Sequence, residues 1–305
     1  MFEDRQVANR RRTGVLMVGF FALVLAVGAA LRFLLGFNWL AFVLSLVFAV
    51  GVPVVSYWYS DSITLRMSRA RPASEEEYAR FHNVIEGLCI ATGLPKPALY
   101  VIDDDAPNAF ATGRDPKHAA ICATTGLLNR MTRVELEGVL AHELSHVQNR
   151  DTLVSTVAVV LVGVVTLLAD WGIRWLWWGG GRTRHRSSED RDPGGNVILC
   201  VLGIVLVLTA PRIGRVMQYA VSRSRESLAD ASAVAITRYP PGLISALEKL
   251  QADDTVVHAH SRATAHLWIE SPIARVPAEG RLAWWNRLFE THPPLAERIQ
   301  ALKEM

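Results

Sequence analysis

Two histidines four residues apart, with a glutamate directly after the first, are the residues in this sequence best suited to metal chemistry. The segment reads His142-Glu143-Leu144-Ser145-His146. In a helix, residues four apart share one face with Cβ atoms ~5–6 Å apart, so each imidazole could give a nitrogen to tetrahedral zinc at ~2.0–2.1 Å. Glu143 could reach a water on the ion without ligating it. The pattern also arises by chance, so alone it leaves two surface histidines and a solvated glutamate equally possible.

A catalytic zinc site needs a third protein ligand, which should lie on a second helix. The segment from Ser224 to Asp230 is predicted to be helical and has Glu226 and Asp230 four residues apart. Glu226 is the candidate ligand, and Asp230 could accept the free ring N–H of a ligand histidine. By spacing alone, a salt-bridged Glu226 beside Arg223 and Arg225 is an equally good interpretation.

The elements that would position these side chains lie in two polar stretches, residues 61–151 and 212–305. The helix that carries His142 should begin after Thr132, because Thr132 and Glu135 form a capping-box sequence. Apolar residues at helical spacing predict another helix from Ser74 to Thr92. Short β-like runs between turn residues predict three strands, at Ala98–Ile102, Asn108–Thr112 and Ala119–Ala123. The fold class predicted is therefore α+β, mostly helical with a small β-sheet.

Four long uncharged segments are unusual for a soluble enzyme, and 50% of all residues are hydrophobic. Each has roughly the 18–20 residues needed to cross ~30 Å of hydrocarbon as a helix. Buried helices of a large soluble core are the alternative, although such long charge-free runs are rare in soluble folds. The segments run from Thr13 to Leu31, from Phe37 to Ser60, from Thr152 to Ala169 and from Pro193 to Pro211.

Arginines beside these segments predict their orientation, because cytoplasmic loops of membrane proteins are enriched in Lys and Arg. Clusters precede the first segment, follow the second and follow the fourth. If all four segments span, the three clusters lie on one side, which should be cytoplasmic. The loop 179–195 carries four arginines and would lie outside. The third and fourth segments could therefore form a hairpin that enters the membrane without fully crossing it.

Charge and cysteine content exclude several other classes of function. The net charge of +3 is small for 305 residues and gives no case for nucleic acid binding. The three cysteines are widely separated and lack a C-x-x-C pattern, which argues against a disulfide framework and a thiolate zinc site.

Motifs spread over nearly the whole chain occur in an order typical of one protein family. They are Pro107–Gly113, Thr125–Leu128, Glu137–His146, Ser222–Glu226, Ala229-Asp230, Ala265–Ile269, Thr291–Leu295 and Glu297–Ile299. Through these motifs the sequence resembles the HtpX family of membrane metallopeptidases, which are relatives of the prenyl-protein endopeptidases that process C-a-a-X tails.

This resemblance implies a gluzincin-like domain with one zinc ion per chain. It implies His142, His146 and Glu226 as zinc ligands and Glu143 as the catalytic acid/base. It also brings the segment containing His292 near the metal, where His292 is the candidate donor to the oxyanion of the tetrahedral intermediate. A plain helix-capping role for His292 is the alternative.

Two further assignments concern the surroundings of the metal. Arg298 could pair with Glu226 or Asp230 or contact substrate, and an ordinary surface arginine is almost equally possible. The run from Asn108 to Thr112 is expected to be an edge strand beside the cleft, with Asn108, Ala109 and Phe110 as substrate-binding residues. An extended substrate could pair with its backbone; a normal strand with a turn asparagine is the equal alternative.

The function predicted is a membrane-bound zinc endopeptidase of a prokaryotic inner membrane, with its active site on the cytoplasmic side. By resemblance to stress-response quality-control proteases, its partners should be membrane or misfolded protein substrates, the lipid bilayer and other membrane quality-control proteases. The domains expected are a transmembrane hairpin over 1–60, catalytic parts over 61–151 and 212–305, and a second hydrophobic hairpin over 152–211.

Two other functions are weighed against this one. A protease that processes prenylated tails would need a large multi-helix chamber, which four segments cannot build. A non-catalytic membrane adaptor that keeps a zinc site would gain nothing from Glu143.

Overall fold

The computed structural model describes residues 39–153, 225–253, 255, 268–269 and 293–305, with isolated positions between 11 and 25. Between residues 39 and 60 it describes only some of the side chains. The fourth hydrophobic segment, the loop 179–195 and His292 lie outside the described residues, as do most of the first segment and all of the third except Thr152 and Leu153.

A mixed four-stranded sheet forms the β part of the fold, in the order β1-β2-β4-β3. Strands β2 and β4 are parallel, whereas β1 and β3 pair antiparallel with their neighbours. The three predicted strands are confirmed to within one residue at each end, and the two-residue β1 was not predicted. The strands are β1 Arg71–Pro72, β2 Ala98–Ile102, β3 Ala109–Gly113 and β4 Ala119–Thr124.

The first helix packed on this sheet, which we call α2, runs from Ala79 to Thr92. The sequence predicted its start at Ser74, but residues 75–78 form turns. Arg71 of β1 donates hydrogen bonds to Glu77 (3.3 Å) and to the Tyr78 hydroxyl (2.7 Å). These contacts tie the turn to the sheet, which accounts for the later start of the helix.

Two helices follow β4, namely α3 (Thr125–Arg130) and α4 (Arg133–Gln148). The capping box predicted for α4 is confirmed: the Glu135 amide donates to the Thr132 hydroxyl (3.4 Å), and the Thr132 amide donates to the Glu135 carboxylate (2.8 Å). Helix α4 is buried on nearly every face, so it forms the centre of the core.

Three helices from the second half of the chain surround α4. We call them α5 (residues 225–237), α6 (Pro240–Ala252) and α7 (Leu295–Lys303). Helix α6 packs against both α4 and α7. Because these helices share one apolar cluster with α2 and the sheet, the two polar stretches of the sequence fold around a common core.

The long helix that precedes β1, which we call α1, runs from Trp39 to Met67. Its last turns bury Thr64, Leu65 and Ser68, and it contacts β3 and β4. A search of the part of the chain that the structure describes found no helix with both the length and the apolar character needed to cross a membrane.

Candidate metal centre

Helix α4 presents His142 and His146 from one face, as their spacing predicts. The two Nε2 atoms are 3.3 Å apart, and the ring planes are nearly perpendicular. His142 is fully buried, whereas the His146 side chain is 15% exposed. Solvent therefore reaches this pair from the His146 side.

Helix α5 brings Glu226 to the same point. Its Oε2 lies 3.5 Å from His142 Nε2, and its Oε1 lies 3.6 Å from His146 Nε2. One ligand atom from each of the three residues falls within 4.8 Å of the others. A tetrahedral ion with ligands at ~2.0–2.1 Å needs ligand atoms ~3.3–3.4 Å apart. The three side chains therefore fit a metal ion with little adjustment.

Asp230 fixes the tautomer of His142. Asp230 Oδ1 lies 2.9 Å from His142 Nδ1. Since an ionised carboxylate only accepts hydrogen bonds, the proton must sit on Nδ1. This leaves the Nε2 lone pair directed at His146 and Glu226, as a metal ligand requires.

Arg298 in turn donates two hydrogen bonds to the Asp230 carboxylate, from Nε and from Nη2. Nε donates to Oδ2 at 2.9 Å, and Nη2 donates to Oδ1 at 2.7 Å. Burial raises the pKa of Asp230, but Arg298 and the hydrogen bond to His142 outweigh it and lower that pKa to about 2. Asp230 is thus ionised at neutral pH. Arg298 is buried, which excludes the surface-arginine interpretation.

His146 has a carboxylate partner of its own, which sequence reasoning missed. Asp151 Oδ2 lies 3.2 Å from His146 Nδ1, and Asp151 is buried. The spacing of five residues gave no signal, because it falls off the helix face that carries the histidines. The chain turns back after α4 through Arg150, whose φ is 58°. That turn brings Asp151 to the imidazole.

The charges around the histidines favour a cation. Burial and the nearby Arg298 lower the pKa of His142, but hydrogen bonds to Asp230 and Glu226 outweigh them and raise it to about 9. A proton on Nε2 and a metal ion compete for the same lone pair. A group of side chains that attracts a proton this strongly is therefore also suited to a divalent cation.

Glu143 is buried on α4, directly after His142. It does not belong to the group of three possible ligands. This agrees with the expectation that it acts beside the metal rather than on it. His292, the predicted oxyanion donor, lies outside the described residues, which resume at Pro293.

The three residues predicted to bind substrate are all buried. The Asn108 side chain accepts a hydrogen bond from the Ala109 amide (3.0 Å), and the Asn108 amide donates to the Thr124 hydroxyl (2.9 Å). The Phe110 ring packs edge-on against Trp268, with ring centroids 4.9 Å apart. These side chains stabilise the strand, and their role in binding substrate stays a prediction.

Comparisons with known proteins agree with this geometry. The sequence model described as Peptidase family M48 matches residues 75–305. The chain is 43% identical to a Protease HtpX homolog of Thermoanaerobacter pseudethanolicus over 304 residues, covering 99% of this chain and 97% of the relative. It is 44% identical to a Protease HtpX homolog of Tropheryma whipplei (strain Twist) over 289 residues, covering 93% of each.

One solved structure also has a similar fold, the crystal structure of S. mikatae Ste24p, with a TM-score of 0.50 and 20% sequence identity. The match covers 98% of this chain and 66% of that longer chain. At this identity the likeness concerns the fold alone.

Proposed function

Because the chain belongs to peptidase family M48 and is a metalloprotease, we propose that it is a membrane-bound zinc endopeptidase that hydrolyses membrane or misfolded proteins. The observation that carries this proposal is the approach of His142, His146 and Glu226 to within ligand distance of one point. Two imidazoles and one carboxylate are the ligand set of catalytic zinc, which keeps one further position for water.

The ligand types favour zinc over Mg²⁺ and Ca²⁺, and their spacing fits a tetrahedral ion. Two nitrogens and one carboxylate oxygen suit zinc better than Mg²⁺ or Ca²⁺, which prefer oxygen ligands. The separations of 3.3, 3.5 and 3.6 Å match a tetrahedron. When bound, zinc lowers the pKa of a ligated water from 15.7 to about 7 and polarises a carbonyl group.

The side chains around the metal position transfer protons, orient the ligand histidine and stabilise the oxyanion. Glu143 accepts the proton of the attacking water and passes it to the leaving amine. Asp230 keeps the proton of His142 on Nδ1, and Arg298 keeps Asp230 ionised. His292 is the proposed donor to the oxyanion that forms on the substrate carbonyl.

The outer edge of β3 is the proposed binding position for an extended substrate. The Ala109 carbonyl points away from β4 and accepts a hydrogen bond from the Ile269 amide (2.9 Å). Backbone groups alternate in direction along a strand, so those of Ala111 face the same edge. We therefore assign backbone pairing to Ala111, while Asn108 and Phe110 hold the strand in place.

A membrane location is supported by the sequence and by helix α1. Its described part exposes large apolar side chains at Leu40, Val47, Val54 and Trp58, at spacings that favour one helix face. The Arg114 guanidinium lies 4.9 Å from the Trp58 ring centroid, and Nη1 donates to the Trp58 carbonyl (3.1 Å). This contact joins the β3–β4 turn to α1, so a membrane-held α1 would hold the catalytic part close to the bilayer.

The arginines that flank the hydrophobic segments favour a cytoplasmic active site in a prokaryotic inner membrane. Tethering raises the effective concentration of membrane-bound substrates near the site. A role in membrane protein quality control follows from this arrangement and from the resemblance to HtpX proteins.

Replacement of Glu143 with Gln tests the proposal in the full chain purified in detergent. We expect the variant to retain zinc and to lose cleavage of casein, because the amide cannot accept the proton. Glu137→Gln, on the same helix, is the matched control and should cleave normally. In a second experiment a metal chelator is used to remove all zinc from the wild-type protein. Cleavage of casein that persists after this treatment would overturn the assignment.

A further inference from the structure

We propose that Asp151 and Arg225 form a clamp that positions both His146 and Glu226 for metal binding. The clamp connects the segment that follows α4 to the first described residue of α5, two points that lie 74 positions apart in the sequence. This inference rests on the proposed zinc site. It assigns a positioning role to two residues that do not ligate the metal.

The first contact of the clamp orients His146. Asp151 Oδ2 lies 3.2 Å from Nδ1, and the Asp151 side chain is 4% exposed. Because the carboxylate accepts the Nδ1 proton, the lone pair of His146 is on Nε2 and faces Glu226. Without Asp151, the His146 ring could adopt the other tautomer or rotate about χ2, since one edge of the ring is open to solvent.

The second contact anchors the start of α5. Arg225 Nη1 donates to the Asp151 carbonyl at 3.3 Å and lies 4.0 Å from Asp151 Oδ1. Arg225 is itself buried and directly precedes Glu226. Any displacement of Arg225 therefore moves the backbone that carries the third ligand.

A contact between Ser145 and Ala229 restrains helix α5 on the C-terminal side of Glu226. The Ser145 hydroxyl lies 3.3 Å from the Ala229 carbonyl and 2.7 Å from the His142 carbonyl. Ser145 belongs to α4 and lies between the two histidines in sequence. Helix α5 is therefore restrained on both sides of Glu226, by Asp151 before it and by Ser145 of α4 after it, and these contacts limit how far its carboxylate can move from the two imidazoles.

The two histidines are supported in parallel. Asp230 contacts His142, and Arg298 donates hydrogen bonds of 2.7 and 2.9 Å to the Asp230 carboxylate. Asp151 contacts His146, and Arg225 donates to the Asp151 backbone carbonyl at 3.3 Å. Because the His146 side chain is 15% exposed whereas His142 is buried, loss of Asp151 should affect how long the metal stays bound more than whether the protein folds.

The test uses the full chain purified in detergent and loaded with zinc alone. The protein is mixed with a chromophoric chelator, and the colour change measures both how fast and how completely zinc leaves the protein. We expect Asp151→Ala to weaken zinc affinity ~10–100-fold, the range for the loss of such a partner of a ligand histidine. Arg225→Met should weaken it less, and Arg225→Lys should recover part of the loss. The double variant Asp151→Ala with Arg225→Met should bind zinc more weakly than Asp151→Ala alone, because Asp151→Ala keeps the backbone carbonyl that Arg225 contacts.

The absorption spectrum of the cobalt-loaded protein separates positioning from general destabilisation. Ligand-field bands report coordination geometry, so they should change in Asp151→Ala even where the melting temperature of the metal-free protein does not. The matched control is Asp115→Ala, which removes the carboxylate of another Asp–His pair, with His118 at 2.9 Å on the β3–β4 turn. It should leave zinc release and the cobalt spectrum unchanged.

Unchanged zinc release and an unchanged cobalt spectrum in Asp151→Ala would overturn the clamp, as would a double variant that binds zinc no more weakly than Asp151→Ala alone. Should Asp151→Ala fail to fold, Asp151→Asn and Arg225→Lys provide the same comparison with smaller changes. The proposed function fails separately: wild-type protein that holds zinc but cleaves nothing would contradict the protease assignment and leave the clamp standing.

Discussion

Gly138 of α4 and Leu243 of α6 meet so closely that a Cβ added at Gly138 would lie 2.7 Å from the Leu243 amide nitrogen. The atoms in the way belong to backbone, which cannot move aside as a flexible side chain could. Helix α6 therefore packs directly against the helix that carries both histidines, one turn before His142.

This relationship predicts that Gly138→Ala destabilises the protein by ~1–3 kcal/mol, the usual range for overpacking a core. The matched control is Gly87→Ala on α2, where an added Cβ would meet nothing within 4 Å. That change should be neutral or stabilise by up to ~1 kcal/mol, because alanine favours helix. Thermal unfolding of both variants in detergent checks the prediction, and equal melting temperatures would contradict it.

Replacement of Glu226 with Ala should remove most of the bound zinc. Two imidazoles alone cannot hold the ion as firmly as three ligands, and the neighbouring Asp230 is already engaged by Arg298. Metal analysis after gel filtration measures the loss, with the exposed Glu297→Ala of α7 as control. Full zinc occupancy in Glu226→Ala would show that another residue is the third ligand.

Arg298→Met should be among the most damaging substitutions in the chain. It leaves the buried Asp230 carboxylate without its cation, and breaking a buried pair in this way costs about 3–5 kcal/mol. The double change Arg298→Met with Asp230→Leu should be less harmful to folding than Arg298→Met alone, though it cannot restore zinc affinity. Melting temperatures test both expectations. A small loss of stability in Arg298→Met would contradict the first, and a double variant that melts at or below the temperature of Arg298→Met would contradict the second.

Stability should fall in acid through Glu135, which joins α4 to α6. Burial raises the pKa of Glu135, but hydrogen bonds from Lys249 (2.7 Å) and Ser245 (2.6 Å) outweigh it and lower that pKa from 4.5 to about 2. A lowered folded-state pKa means that the stabilisation is complete above about pH 4.5 and is lost as the pH falls towards 2.

Because Lys249 is partly exposed, we expect this contribution to be roughly 1–2 kcal/mol rather than the full value of the shift. Glu135→Gln should lower the melting temperature at pH 7 and flatten its dependence on pH between 5 and 3. The exposed Glu76→Gln serves as control. If the melting temperature of Glu135→Gln depends on pH in the same way as that of the wild type, Glu135 does not cause the loss of stability in acid.

Local elements could be predicted from the sequence because their signals are local. The capping box at Thr132 and the β-like runs near Ala98 and Ala119 each depend on residues close in sequence, and the structure confirms them. The start of α2 was placed too early, since the contact of Arg71 with Glu77 that ends the turn depends on sheet pairing.

The sequence predicts those site residues whose relative positions depend on helical spacing. It does not predict those whose positions depend on contacts between distant parts of the chain. The two histidines share a face of α4 because of their spacing, and Glu226 and Asp230 share a face of α5 for the same reason. Asp151 was missed because its position depends on the left-handed turn at Arg150. The burial of Asn108 and Phe110 depends on Thr124 and Trp268, which are distant in sequence.

The bidentate grip of Arg298 on Asp230 has a consequence for how this enzyme is made. During translation the two histidines leave the ribosome long before this arginine, which follows His142 by 156 positions. Until then the carboxylate behind His142 lacks its cation, and the hydrolytic centre stays unfinished. The support behind His142 can therefore form only after the chain has been synthesised as far as α7.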